Sequence, residues 1–318
     1  MTDVALIGLG PIGLSLAQAT RAAFSGAEIV GFDPDKGRAH RAQESGVLDA
    51  VTDRLPTALA GASLVIVDAP LNEMEPALES IGKLATPSCI VTDTSPLKRP
   101  VLNWAAQSLP PSMGFVGGHV ILQPTDRPDV PLTTGATYCV VCDADAPAEA
   151  IDVVVALALA AGARPLFIDA DEHDSFVLAT DYLPKIAMGA AIDAAVRSPV
   201  WRDMQNLRNN PFGTNIPGSF AANLDERSLG DVTTLGAAHA GSLLFWIDRL
   251  RSELRSMRDS VEKAVAAGEM VDFDGLDKER LESLMQPPPQ GVRIERPGLQ
   301  SLLLGDWLSA RSKQRRGS

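Results

Sequence analysis

The chain is poor in cysteine, which limits the redox and metal chemistry that it can carry. Its 318 residues include three cysteines, Cys89, Cys139 and Cys142, and an odd, low count in a long chain is typical of a reducing compartment. Cys139 and Cys142 have C-x-x-C spacing, but they lie in an apolar run typical of a strand, which would point them to opposite faces. No second pair completes a zinc site, so we predict neither a metal centre nor dithiol chemistry.

Basic charge and long apolar runs are also scarce. With 28 Lys and Arg against 40 Asp and Glu, the formal net charge is -12, which disfavours nucleic acid or an anionic membrane as the main partner. No apolar run reaches the roughly 18 residues that span a bilayer, and no basic and apolar signal region precedes the first strand-like run. We therefore expect a cytoplasmic protein with no nucleic-acid or membrane partner.

A glycine motif near the N-terminus predicts a cofactor. The apolar run Val4–Ile7 leads directly into G-x-G-x-x-G, and a helix-like stretch follows. Between a strand and a helix, this motif binds a dinucleotide: Gly8 allows a tight turn, Gly10 lets the backbone approach the pyrophosphate, and Gly13 lets the helix pack on the strand. We assign cofactor binding to Gly8, Gly10, Pro11, Ile12 and Gly13.

An acidic residue at the expected distance strengthens this interpretation. Asp33 ends the second apolar run, 20 residues after the last glycine of the motif. An acid at this place accepts hydrogen bonds from the ribose hydroxyls of NAD and repels the additional phosphate of NADP. Lys36, Arg38 and Arg41 follow closely and offer positive charge for such a phosphate. The sequence predicts NAD as the cofactor, in preference to NADP.

Strand-like runs alternate with helical stretches through about the first 169 residues. This alternation indicates a doubly wound parallel Rossmann sheet, with functional residues at the carboxyl ends of its strands. The predicted domains are this α/β domain at 1–169, an all-helical second domain at 170–286, and a Pro-rich linker with a tail at 287–318. The predicted strands are Val4–Ile7, Glu28–Phe32, Leu64–Asp68, Cys89–Asp93, Gly114–Val116, Tyr138–Cys142 and Arg164–Ile168.

Two long helices are expected in the second domain. The first runs from Glu172 to Arg197 and contains Pro184, which removes one backbone hydrogen bond and predicts a kink. The second runs from about Val232 to Ala267 and carries apolar residues at alternating spacings of four and three. This seam is compatible with packing inside one domain or with a contact between two chains. We favour a homodimer through the helical domain.

Three further segments follow the glycine motif in order along most of the chain, namely Thr92–Lys98, Phe115–His119 and Asp171–Asp174. The glycine motif resembles G-L-G-L-I-G, and the three segments resemble T-D-x-x-S-x-K, F-V-G-x-H and E-E-H-D, which are motifs of the prephenate/arogenate dehydrogenase family. The resemblance implies an NAD-dependent dehydrogenase that oxidises a small anionic hydroxy acid, with or without decarboxylation.

The resemblance also implies roles for individual residues. His119 matches the histidine that takes the proton of the substrate hydroxyl, a task that suits a neutral imidazole. The alternative, a capped loop histidine, is disfavoured by its predicted place after a strand end. Ser95 matches the serine between the hydroxyl and the nicotinamide, and Pro70 would lie under the nicotinamide ribose. His173 matches a residue at a helix start and is expected to be structural.

The substrate side departs from the family pattern. Asp181–Lys185 stands where the family has S-H-L-P-H, so both of its histidines are absent, and Phe212–Pro217 lacks the family's arginine for a substrate carboxylate. We assign the choice of a small acidic substrate to Tyr182, Lys185 and Asn215. Lys185 could hold a carboxylate, transfer a proton if burial lowers its pKa, or simply face solvent.

Three functions follow from these patterns. The first, which we favour, is oxidation of a secondary alcohol on a small anionic acid, with His119 as the base. The second is a β-hydroxyacid dehydrogenase or imine reductase that places the chemistry on Lys185. The third is an NAD-binding regulatory protein without catalysis, an alternative motivated by the absent histidines and arginine.

Overall fold

The structure, a computed structural model, describes residues 4–24, 26–122, 132–197 and 237–269. The chain divides into two compact units, residues 1–249 and 250–318. The first unit contains the α/β part. The described part of the second unit, residues 250–269, contains the C-terminal portion of one long helix. Within the described ranges, every helix is too short or too polar to cross a membrane.

An eight-stranded sheet forms the centre of the described α/β part. Its strands are β1 (Val4–Ile7), β2 (Ile29–Phe32), β3 (Ala50–Thr52), β4 (Leu64–Val67), β5 (Ile90–Asp93), β6 (Gly114–Ile121), β7 (Thr137–Val141) and β8 (Arg164–Phe167). They are ordered β3-β2-β1-β4-β5-β6-β7-β8, and all neighbours except β6 and β7 are parallel. The predicted Rossmann-like sheet is therefore confirmed, with β3 as an additional strand that we did not predict.

Strand β6 differs from its prediction in length and in the direction of one neighbour. We expected Gly114–Val116 within an all-parallel sheet, but the strand continues to Ile121. Its first three residues pair with β5, whereas its second half, Gly117–Ile121, pairs with β7 in antiparallel direction. The extension thus depends on a tertiary neighbour. As a result, His119 lies inside a strand, and its predicted place after a strand end is wrong.

Helices of the first unit cover both faces of the sheet, and the last described helix extends into the second unit. In chain order they are α1 (Pro11–Ala23), α2 (Lys36–Glu44), α3 (Leu55–Leu59), α4 (Leu71–Leu84), α5 (Arg99–Ser108), α6 (Ala148–Ala160), α7 (Ala170–Val177), α8 (Leu183–Val196) and α9 (Ala237–Ala267). Helix α1 begins with proline at its first position, where no backbone N–H is needed. Helices α2 and α7 begin after Asp35 and Asp169, whose carboxylates accept backbone N–H groups of the first turn.

The apolar core is divided between the two faces of the sheet. Along β1, Val4 and Leu6 join a cluster with α1 and α6, whereas Ala5 and Ile7 join a cluster with α4 and α5. This alternation follows from the period of two in a strand and produces the doubly wound arrangement. The same period separates two cysteines, as predicted. Cys139 in β7 and Cys142, directly after β7, pack into different apolar clusters.

The helical segment after β8 is continuous but not a single α-helix. Between α7 and α8, residues Leu178–Tyr182 form one wider π-helical turn, closed by the Leu183 N–H bonded to the Leu178 carbonyl. Pro184, directly after this turn, cannot donate a backbone hydrogen bond. The prediction of one α-helix from Glu172 to Arg197 is thus wrong in its register, although an irregularity was expected at this place. Such turns often occur at functional sites.

Helix α9 ends at Ala267, as predicted. Its predicted start at Val232 lies outside the described residues, as do Asn215, the linker at 287 and the tail. On α9, Leu244, Phe245 and Leu254 are more than half exposed.

Candidate active site

A cleft of about 690 Å³ lies at the carboxyl ends of β1, β2 and β4. The structure brings five of the predicted cofactor residues together in its lining: Gly8, Gly10, Pro11, Asp33 and Pro70. Two others lie behind it, since Ile12 packs against the apolar core and Gly13 contacts Asp68. This is the switch point of a doubly wound sheet, where dinucleotides bind.

Two glycines of the motif are required by close approach of the backbone. Gly8 has φ +88, and a Cβ there would lie 2.0 Å from the Asp68 carbonyl oxygen. A Cβ at Gly13 would lie 2.8 Å from the Asp68 side chain. No larger residue fits at Gly8 without moving the backbone, so the tight turn before α1 requires glycine.

The Asp33 carboxylate is held by four N–H groups. Its Oδ2 accepts the Leu9 backbone N–H at 2.9 Å, and its Oδ1 accepts the Asp35 N–H at 2.8 Å. Arg38 donates to both oxygens, through Nε at 2.9 Å and a terminal nitrogen at 3.1 Å. The predicted ribose acceptor therefore already has a cation as its partner.

Asp68 lines the cleft from the predicted carboxyl end of a strand, but the sequence did not indicate its contacts. Its Oδ2 accepts the Gly13 backbone N–H at 3.0 Å, and its Oδ1 accepts the Thr94 hydroxyl at 2.6 Å. The carboxylate thus caps the N-terminus of α1. Through Thr94, it also connects the cleft to the segment after β5, which contains Ser95.

A chain of two histidines and a carboxylate lies beside this segment. His119 Nδ1 is 3.0 Å from His173 Nε2, and His173 Nδ1 is 2.8 Å from Asp174 Oδ1. Asp174 also accepts the backbone N–H groups of Lys98 and Arg99, at 2.7 and 2.8 Å, and so caps the start of α5. The expected structural role of His173 thus includes direct contact with the predicted base, which its sequence position did not indicate.

The order of these bonds defines the tautomer of His119. An ionised Asp174 accepts the Nδ1 proton of His173, so His173 Nε2 presents a lone pair to the Nδ1–H of His119. His119 Nε2 is then the basic nitrogen. Burial holds the pKa of His119 well below its usual value, and the nearby His173, Lys98 and Lys185 act in the same direction, against the opposing effect of Asp174. The imidazole is therefore neutral at pH 7.

Buried polar groups also support the strand that carries His119. Lys98 is fully buried, and its Nζ donates to Asp93 Oδ2 at 2.5 Å and to the Gly118 carbonyl at 2.6 Å. Burial lowers the pKa of Lys98, against the opposing effect of Asp93. Asp93 Oδ1 accepts the Gly118 N–H at 3.1 Å. This pair holds the backbone next to His119, a role that the motif alone did not reveal.

Ser95 is buried, and its hydroxyl has no hydrogen-bond partner among the described residues. Its backbone N–H donates to Asp93 Oδ2 at 2.9 Å, which fixes the residue beside the Lys98 pair. A buried hydroxyl without a partner costs free energy. Ser95 Oγ is thus suited to a ligand that completes its hydrogen bonding.

Lys185 lies close enough to His119 for its charge to lower the pKa of that imidazole. Its side chain is 10% exposed, and its Nζ is 2.7 Å from Asp181 Oδ2 and 5.8 Å from the centre of the Tyr182 ring. The solvent-facing alternative for Lys185 is therefore wrong. Tyr182 is buried in the core cluster of α4 and α5.

Known proteins resemble this chain in sequence. Residues 16–166 match the family described as prephenate dehydrogenase, nucleotide-binding domain. The chain is 27% identical over 209 residues to the cyclohexadienyl dehydrogenase of Zymomonas mobilis, covering 63% of this chain and 71% of that protein. It is 32% identical over 117 residues to the prephenate dehydrogenase of Bacillus subtilis, covering 36% of this chain and 32% of that protein. The matched part thus spans about a third of the Bacillus relative.

Solved structures share the fold. The prephenate dehydrogenase of A. aeolicus, in complex with hydroxyphenyl propionate and NAD+, has a TM-score of 0.68 at 17% identity, covering 89% of this chain and 95% of that one. The arogenate dehydrogenase of Synechocystis has a TM-score of 0.62 at 21% identity, covering 89% and 97%. Together, the matching nucleotide-binding domain and the two relatives support a member of the prephenate/arogenate dehydrogenase family, and the solved structures show the shared fold.

Proposed function

We propose that the protein is an NAD-dependent dehydrogenase that oxidises the CH–OH group of a small anionic hydroxy acid. The observation that carries this proposal is the hydrogen-bonded chain His119–His173–Asp174, which presents a neutral base. The end of β5 and the residue after it connect this base to the cleft: Thr94 bonds to Asp68, and Asp93 bonds to the backbone of Gly118. The match of residues 16–166 to a prephenate dehydrogenase nucleotide-binding domain supports the same reaction.

The residues of the cleft fit a dinucleotide. Gly8, Gly10 and Pro11 line the cleft with backbone and one proline ring, without bulky side chains, and outside this lining the buried Ser95 hydroxyl has a hydrogen bond to offer. Gly8, Gly10, Pro11 and the N-terminus of α1 would hold the pyrophosphate, with the nicotinamide ribose over Pro70. NAD, when bound, supplies the hydride acceptor.

The protein's own groups would handle the proton. In the proposed reaction, His119 Nε2 removes the proton of the substrate hydroxyl while Ser95 Oγ orients that hydroxyl. The imidazolium that forms is stabilised through His173 by the Asp174 carboxylate. Asp174 is buried and is the last member of this hydrogen-bonded series. The two partners thus act as positioning residues, because they fix the ring and the tautomer of His119 without touching the substrate.

Lys185 is proposed to bind a carboxylate of the substrate. Its ammonium group is mostly buried near His119 and compensated by Asp181, so a substrate carboxylate would share a cation that is already partly desolvated. This supports prephenate, arogenate or another small hydroxy acid as the substrate. The identity of the substrate would decide whether decarboxylation accompanies the oxidation. The same burial favours a second candidate, a β-hydroxyacid dehydrogenase in which Lys185 handles the proton.

The test is an absorbance assay of reduced nicotinamide. NAD and then NADP are offered with prephenate, arogenate and a panel of small hydroxy acids. We expect turnover of prephenate or arogenate if the absent family histidines and arginine have been functionally replaced. Activity on another hydroxy acid alone would indicate a changed substrate, and NAD binding without any turnover would contradict the proposal.

The pH profile is expected to reflect the lowered pKa of His119. Because its pKa lies below the ordinary value of about 6.5, the imidazole stays neutral as the pH falls, and kcat/KM should decline only when the pH passes through the lowered pKa. Lys185→Met removes one cause of the lowering and should shift this decline to higher pH. The matched control is Lys83→Met, which removes an exposed side chain of α4. It should leave the pH at which kcat/KM declines unchanged.

An unchanged pH profile in Lys185→Met would mean that the charge of Lys185 has no effect on the pKa of His119. It would contradict a shared active site for the two residues. The measurement is the pH dependence of kcat/KM for each variant with the best substrate of the panel.

We further propose a cytoplasmic homodimer formed through the helical domain. Four large apolar side chains of α9 are more than half exposed, namely Leu244, Phe245, Leu254 and Val265. Large apolar side chains left in water are candidates for a protein interface. Sedimentation of the full chain would test the dimer, and a monomer at micromolar concentration would contradict it.

A further inference from the structure

Asp33, the acidic residue that is predicted to select NAD, is already bonded to Arg38 through both carboxylate oxygens. Four N–H groups reach the Asp33 carboxylate, two from the backbone and two from Arg38. A carboxylate offers about four acceptor positions. A ribose diol therefore finds no free acceptor on Asp33 as long as Arg38 holds both oxygens.

The pair also changes the charge of the ribose site. An acid in this position rejects the 2′-phosphate of NADP because two negative charges would meet. Here the bidentate guanidinium compensates the carboxylate, whose side chain is 2% exposed. The repulsion on which the preference for NAD depends is thus largely cancelled.

Arg38 has the reach and the donors to bind a phosphate. Its side chain is 45% exposed and lines the same cleft as Asp33. The bonds to Asp33 use two of the five guanidinium N–H groups. The remaining donors can bind phosphate oxygens while at least one bond to Asp33 is kept.

Acidic neighbours limit this effect. Asp35 and Glu73 also interact with the Arg38 charge, and Glu73 lines the cleft. Both have solvent-exposed side chains, so water and salt screen them more than the buried Asp33. We therefore expect reduced discrimination between the cofactors rather than a preference for NADP.

We infer that Arg38 makes the ribose site of this protein accept NADP as well as NAD. A dinucleotide in this cleft is part of the proposed function, on which this role of Arg38 rests. When NAD binds, its ribose hydroxyls replace one Arg38 bond on Asp33. When NADP binds, the guanidinium contacts the 2′-phosphate instead.

The test is direct binding of each cofactor to the full chain without substrate, by calorimetric titration. We expect NADP to bind the unaltered protein within about tenfold of NAD, and Arg38→Gln to weaken NADP by at least about tenfold, as expected for lost charge-assisted hydrogen bonds, with only a small change for NAD. Lys83→Gln removes the same charge from an exposed side chain on α4 that does not line the cleft, and it serves as the matched control. It should leave the ratio of the two dissociation constants unchanged.

Two results would overturn the role of Arg38 while sparing the proposed function. One is NAD binding to the unaltered protein without detectable NADP binding. The other is an equal weakening of both cofactors in Arg38→Gln. Failure of the unaltered protein to bind either cofactor would overturn the dinucleotide site itself and the inference with it.

Discussion

Replacing His119 by alanine is expected to lower kcat by at least about 10²-fold, the usual range for the loss of a general base. The half-buried ring lies in β6, its pKa is lowered, and its Nδ1 is bonded to His173, so Nε2 is the basic atom that is left for the substrate. Nucleotide binding should be retained, because the residues that line the cleft belong to other segments of the chain. Steady-state kinetics and a separate NAD titration measure the two effects.

His40→Ala is the matched control for this variant. His40 is exposed on α2 and pairs only loosely with Glu44, so its loss should leave kcat unchanged. If His119→Ala keeps its kcat while Lys185→Met loses activity, the chemistry belongs to Lys185, and the second candidate function would replace the first. Loss of NAD binding in His119→Ala would instead indicate a structural defect.

Replacing Lys98 by methionine is expected to lower the free energy of unfolding by about 3–5 kcal/mol, as for other buried ion pairs that lose one partner. Neither side chain of the Lys98–Asp93 pair is exposed. Methionine keeps the length of the side chain but leaves the Asp93 charge without a cation and the Gly118 carbonyl without its donor. Denaturant unfolding, monitored by circular dichroism, measures this change.

Two further variants separate charge from packing in this prediction. Lys83→Met removes an exposed lysine that pairs with Glu79, and it should change stability by no more than about 0.5 kcal/mol. Adding Asp93→Asn to Lys98→Met removes the uncompensated charge and should recover part of the loss. An unfolding free energy of Lys98→Met equal to that of Lys83→Met would contradict the structural importance of the buried pair.

Much of the fold could be predicted because its signals are local. Each strand of the sheet except β3 was visible as a short apolar run, since strands buried on both faces have few polar residues. The short β3 has no such run, and all of its residues are only partly buried. The second half of β6 was missed for another reason: its pairing with β7 depends on a neighbour that is distant in sequence.

The candidate site was predictable on the cofactor side and only partly elsewhere. Gly8 could be recognised because a positive φ and a close backbone contact select glycine. The bond between His119 and His173 joins residues 54 positions apart, and no local pattern specifies it. Only the E-E-H-D resemblance pointed to His173 and Asp174, without saying what they contact.

The sequence by itself determined the Rossmann architecture and the glycine turn, because strand periodicity and backbone sterics act over a few residues. The candidate base His119 came from the resemblance of Phe115–His119 to a family motif. The tertiary structure decided that His173 and Asp174 orient that base, that Lys185 is buried near it, and that Arg38 compensates Asp33. These features depend on distances between side chains of different elements. Such distances are set by sheet register and helix packing, which exist only in the folded chain.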